Sequence, residues 1–117
     1  MSDLLKRLDK PGVIACSCVV QGNNVKATSF PKELKNYETI GRQAFGYVFQ
    51  NVAKHHAKHN ESHLEIGDKR LSGFQLKPGL LLISLSRKDT NIMLVRQHIH
   101  EIHRSFIQRQ AKKNRKT

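Results

Sequence analysis

The sequence predicts an α/β domain of the α+β kind, a three-layer sandwich with a five-stranded, mainly antiparallel sheet and helices on both faces. The expected order is α-β-β-α-β-β-β-α. Three observations lead there. The runs Val13 to Val20 and Leu80 to Leu85 are rich in β-branched or large apolar residues and read as strands buried on both faces. The stretch Asn36 to His59 carries apolar residues at helical spacing, and Ile92 to Phe106 repeats them in steps of 3, 4, 3 and 4.

The elements follow in order. Leu4, Leu5 and Leu8 form one face of a short first helix, with Ser2 or Asp3 as its cap, and Pro11-Gly12 ends it. After the first strand, Gln21-Gly22-Asn23-Asn24 is a tight turn, and Val25 to Phe30 alternates as a returning strand that Pro31 stops. In the long helix Ile40, Ala44, Phe45, Tyr47, Val48, Phe49 and Val52 span an arc of roughly 200°, where a helix on one sheet needs nearer ~100°. The excess width implies a second covering surface, such as a partner subunit. His63 to Ile66 and Arg70 to Leu76 alternate in part, as half-exposed antiparallel strands do. Lys77-Pro78-Gly79 is a turn, and Asp89 or Thr90 is positioned to cap the last helix, whose apolar stripe is only ~80° wide.

At 117 residues the chain is one domain, expected at 1–108, with 109–117 as a basic, flexible tail. The charge is +12, and six of the basic residues (Arg104, Arg109, Lys112, Lys113, Arg115 and Lys116) lie in the last 14 positions without an acid among them. Such a run can bind nucleic acid, another polyanion or an acidic surface, or simply be solvated. The basic–aromatic interleaving of single-strand binders is missing. Cys16 and Cys18, on one face of a strand, fit buried thiols in a reducing, cytoplasmic setting. Neither a secretory signal nor an apolar run of membrane-spanning length is present.

Catalytic chemistry finds no foothold. Gly41 and Gly46 are not followed by the Lys-Ser or Lys-Thr of a phosphate loop, and the serines lack the strand–turn–helix setting of a nucleophile elbow. His55 with His59, and His100 with His103, sit at spacings that place each pair on one helix face. Neither pair gains a cysteine or acid that would complete a metal site, and Lys54 and Lys58 repel a cation beside the first. The expectation is a non-enzymatic protein with no cofactor and no metal.

Several of these residues resemble the roadblock family of dynein light-chain and GTPase-regulator domains. They are Leu4-Leu5-Lys6-Arg7-Leu8 running into Pro11-Gly12-Val13, Gly22 of the first hairpin, Lys77 to Leu85 as the last strand, and Asn91-Ile92-Met93-Leu94-Val95-Arg96 opening the last helix. The resemblance covers about residues 2 to 107. It implies a sheet that dimerises edge to edge through its third strand, here about Ser62 to Asp68, with the two long helices side by side across the joint. Family members regulate or anchor small Ras-like GTPases or bind motor subunits through surfaces without catalytic side chains.

On that footing the candidate dimer-interface residues are Tyr47, Phe49, Leu64 and Ile66. The candidate partner contacts are Arg42, Phe49 and Gln50 on the outward rim of the long helix. Two departures stand out, an unusually basic surface and a third strand carrying His63, Glu65 and Asp68. The leading expectation is a homodimeric adaptor docking a small GTPase or another acidic protein. The alternative is a polyanion-binding module using Arg104 to Lys116. A third reading is a ligand sensor with profilin-like layering.

Overall fold

A computed structural model describes residues 2–22, 24–54, 60–77 and 79–115, with side chains for 5–22, 24–50, 60–76 and 79–104. The elements are α1 (Ser2–Leu8), β1 (Cys16–Gln21), β2 (Asn24–Thr28), a 3-10 turn at Lys32–Leu34, α2 (Lys35–Lys54), β3 (Glu61–Ile66), β4 (Lys69–Lys77), β5 (Leu80–Arg87) and α3 (Ile92–Arg115). The five strands form one sheet in the order β2-β1-β5-β4-β3, and every neighbouring pair is antiparallel.

The sheet separates two cores. On one face Phe45 and Phe49 of α2 pack on Cys16, Cys18, Val20, Leu71, Ile83 and Leu85. On the other, Leu5 and Leu8 of α1 and Val95 and Ile99 of α3 pack on Val19, Phe74 and Leu82. This is the expected three-layer arrangement. The His98 ring N–H reaches the carbonyls of Arg7 and Leu8, both at 3.0 Å, and so joins α3 to the last turn of α1, whose carbonyls have no helical partner.

Several boundaries differ from the sequence expectation for identifiable reasons. The first strand begins at Cys16 rather than Val13, because Lys10 and Ile14 bridge and close residues 10–14 into a turn. The second ends at Thr28, whose hydroxyl accepts the Phe30 N–H as the Phe30 ring turns into the core. The cap of α3 is Asn91, not Asp89 or Thr90: its side-chain oxygen accepts the Met93 N–H at 2.8 Å. Asp89 instead pairs with Arg87, and the Thr90 carbonyl is taken by Arg70. The expected caps Ser2 and Asp3 have side chains outside the described residues, as does the whole of His55 and His59.

Strand β4 was expected to be half exposed, yet Arg70 through Phe74 are all buried. Its polar side does not meet water because α3 covers it. Between β3 and β4 a two-residue turn is closed by Gly67, whose φ of 61° lies in the left-handed region that glycine enters without a steric penalty. Strand β4 and helix α2 approach closely at Gly73, where an added Cβ would stand 2.6 Å from the Phe45 ring.

Candidate functional site

The orientation of α2 governs what the protein can present. Phe45 faces Gly73 of β4, and Gly41, one turn earlier, faces Ile83 and Leu71. At ~100° per residue, Thr39, Arg42, Gln43 and Gly46 fall to one side of that buried line, and Ile40, Ala44, Tyr47 and Val48 to the other. The first group lines a cleft of about 320 Å³ whose floor is Val20 of β1 and Leu81 of β5, with Gly22 of the β1–β2 turn beside it. Since that flank looks toward β1, the apolar flank looks toward β4 and the edge strand β3.

The expected interface residues divide accordingly. Tyr47 is 70% exposed and Ile40 38%, while Leu64 and Ile66 of β3 are half-buried against the same core. Tyr47 and Ile40 thus lie on the outer part of α2's apolar flank, and Leu64 and Ile66 lie on the face of β3 that α2 covers. Phe49 is corrected: it does not stand on an outward rim but is 7% exposed, one turn beyond Phe45 and packed in the core. On the wheel it closes the end of the arc opposite Tyr47, yet it lies within ~40° of Phe45 and so stays close to the buried line. Gln50 is exposed, and Arg42, half-buried, belongs to the cleft rather than to one patch with Phe49.

Gly46 is unexplained by the chain's own packing. A glycine inside a helix costs about 1 kcal/mol against alanine, and among the described residues no atom outside the local helix backbone lies within 4 Å of where its Cβ would be.

The sequence reading missed a polar network between β3, β4 and α3. Arg96 donates from Nε and Nη2 to the Glu61 carboxylate at 2.8 and 2.7 Å. His63 Nε2 lies 2.6 Å from the same carboxylate and Nδ1 2.8 Å from the Ser72 hydroxyl. A neutral ring meets both by donating from Nε2 and accepting at Nδ1. The order Ser72–His63–Glu61 is that of a hydrolase triad, but Ser72 is 0% exposed and its oxygen cannot meet a substrate. The signal for it was the His63 and Glu61 pair on one side of β3, two residues apart, opposite Ser72 in register.

Hydrogen bonds from Arg96 hold Glu61 below its ordinary 4.5, against burial and with help from His63. A carboxyl depressed in the folded state adds stability above its unfolded value and loses it as pH falls through the folded one. Burial, then the charge of nearby His100, lowers His103 below 6.5, so its contribution fades as pH falls below about that value. The urea midpoint is therefore expected to fall in two stages on acidification. Glu61→Gln should remove the stage below pH ~4.5 and leave the one near ~6.5. An unchanged lower stage would disprove the assignment.

Cys16 and Cys18 are buried thiols, both pushed up to about 12, chiefly by burial, and are inert rather than nucleophilic. Among the described residues no group of three or more metal-ligating side chains gathers, and no helix is long and apolar enough to cross a membrane. Arg104 is exposed. The side chains of Arg109, Lys112, Lys113 and Arg115, and Lys116 altogether, lie outside the described residues, although the α3 backbone runs to Arg115.

No protein-family model and no curated protein matches this chain. Solved structures do. A Roadblock/LC7 domain from Streptomyces avermitilis superposes with a TM-score of 0.73 at 10% identity, covering 90% of this chain and 92% of that one. Myxococcus xanthus MglB gives 0.73 at 15% identity, with 94% of each chain covered. A second Roadblock/LC7 domain structure from Streptomyces avermitilis gives 0.64 at 19% identity, covering 88% of this chain and 94% of that one. Near-complete overlap of both chains, with the same layers around one antiparallel sheet, shows that this chain has the Roadblock/LC7 fold.

Proposed function

We propose that the chain is a non-catalytic, dimeric adaptor in which residues 1–108 pair through β3 and α2 and dock a protein partner. A small Ras-like GTPase is the partner class that the sequence resemblance implies. One observation supports this most, the contrast between the two sheet edges. β3 pairs with β4 in unbroken register from Glu61 to Ile66, and Leu64, Ile66 and the apolar flank of α2 border its open side. β2, at the other edge, is interrupted by a register shift that leaves Lys26 unmatched between Val25 and Ala27, and a bulge with lysine is a common protection against pairing.

Light scattering over a concentration series is expected to give the mass of two chains. Leu64→Arg and Tyr47→Glu, which place charge on that border, should each weaken the dimer by about tenfold or more, roughly 1.4 kcal/mol. A mass that stays at one chain at the highest concentration overturns the reading. Binding to nucleotide-loaded GTPases of the source cell then tests the partner class by calorimetry.

A second reading rests on the charge distribution, six of the basic residues lying in the last 14 positions. Here the 109–117 tail holds an acidic surface or nucleic acid. Truncation after Gln108 should leave the melting temperature nearly unchanged and lower affinity for a polyanion, most visibly at low salt. Equal affinity with and without the tail excludes it.

A further inference from the structure

We propose that the cleft between α2 and the β1–β2 hairpin receives an extended acidic segment of a partner protein, one apolar side chain seated on Val20 and Leu81 and a carboxylate beside Arg42. The proposal rests on the protein-binding reading above but not on dimerisation, since the cleft lies on the flank of α2 turned away from β3.

Three features carry it. First, the cleft has a floor of Val20 and Leu81 and a wall of Thr39, Gln43 and Arg42, an apolar seat with polar groups at its rim. Second, Gly46 opens that wall. Gly41 and Gly73 are each held against a neighbouring side chain, so the absence of a side chain there serves the chain's own packing. At Gly46 no described neighbour asks for glycine, and the space where its Cβ would stand opens into the cleft. A helical glycine with no internal reason is accounted for when another backbone must come close. Third, among the described residues that line the cleft Arg42 is the one charged side chain and none is a carboxylate, and the chain carries +12. That field draws an anionic segment and repels a basic one.

The chemistry favours peptide over phosphate or nucleotide. Among the described lining residues, one guanidinium with a hydroxyl and an amide makes a shallow donor set, with no second cation for a phosphate group and no aromatic ring on which a base could stack. The lining residues Thr39 to Gly46 rise about 10 Å along α2, the length of roughly three extended residues. An acidic–apolar–acidic stretch fits that span.

The test is an NMR titration of the full-length, nitrogen-15-labelled protein with the blocked peptide acetyl-Glu-Leu-Glu-amide at physiological salt. Acetyl-Lys-Leu-Lys-amide and inorganic phosphate serve as the other probes. Saturable shifts are expected at the amides of Thr39, Gln43, Gly46 and Leu81 with the acidic peptide alone. Gly46→Leu, which fills the cleft, and Arg42→Gln should each weaken binding by about tenfold. Gly46→Leu should also raise the melting temperature, so that its loss of binding is not a loss of fold.

Shifts confined to the basic end of α3, equal binding of the lysine peptide, the same shifts with phosphate, or undiminished binding by Gly46→Leu would each overturn the proposal. Light scattering on the same variants separates the two readings. A failed cleft leaves the dimer mass intact, and a failed dimer leaves the titration intact.

Discussion

Gly73→Ala is expected to destabilise the protein by about 1–3 kcal/mol, the usual cost of overpacking a close-packed core. The added methyl would stand 2.6 Å from Phe45 Cγ and 2.7 Å from Cδ2. The ring cannot easily move aside, since Phe45 is 1% exposed and packed between α2 and the sheet. Either α2 lifts from β4 or the ring leaves its rotamer. Phe45→Leu alone should also destabilise by leaving a cavity. In the double variant the smaller side chain makes room for the methyl, and the loss should be less than the sum of the two. Gly46→Ala, the same substitution in the open, should instead raise stability by about 1 kcal/mol. Urea unfolding of the four variants checks both the sign and the coupling, and strictly additive losses would refute the contact.

Arg70→Met is expected to cost roughly 2–5 kcal/mol. Arg70 is 6% exposed, and its guanidinium donates to the carbonyls of Lys88 and Thr90, both at 2.6 Å. Methionine can fill much of the same space but removes the buried guanidinium and takes the donor from both carbonyls, at about 1–3 kcal/mol for each bond left unsatisfied. Because those carbonyls belong to the turn preceding α3, amide exchange over residues 92–95 should quicken more than in β1. Uniform quickening would show that Arg70 supports the whole core rather than this turn.

These two positions show what the sequence could and could not disclose. Element order was legible because Val13 to Val20, Leu80 to Leu85 and the two helical stripes differ in apolar period. The burial of Arg70, Ser72, Ser84 and Ser86 was not, because alternating polar residues in a strand ordinarily mark a face in water. Only the docking of α3 over that face, a contact between residues far apart in the chain, reverses the meaning of the pattern. The wide arc on α2 did not say which way the helix points. The flank of α2 toward β3 and, outside the arc, the cleft beside β1 became distinct only once Gly41 and Gly73 fixed its orientation. Phe49 moved inward for the same reason.

The bulge at Lys26 bears on how assembly stops. A sheet with two usable edges adds copies without limit, each new one offering the edge its predecessor lacked. The two-fold pairing through β3 proposed above would consume the straight edge of both copies at once and leave outermost only two β2 strands, each broken in register. Growth by strand addition would then terminate at two chains, and the same short irregularity that weakens β2 as a partner would guard that pair against fibre formation.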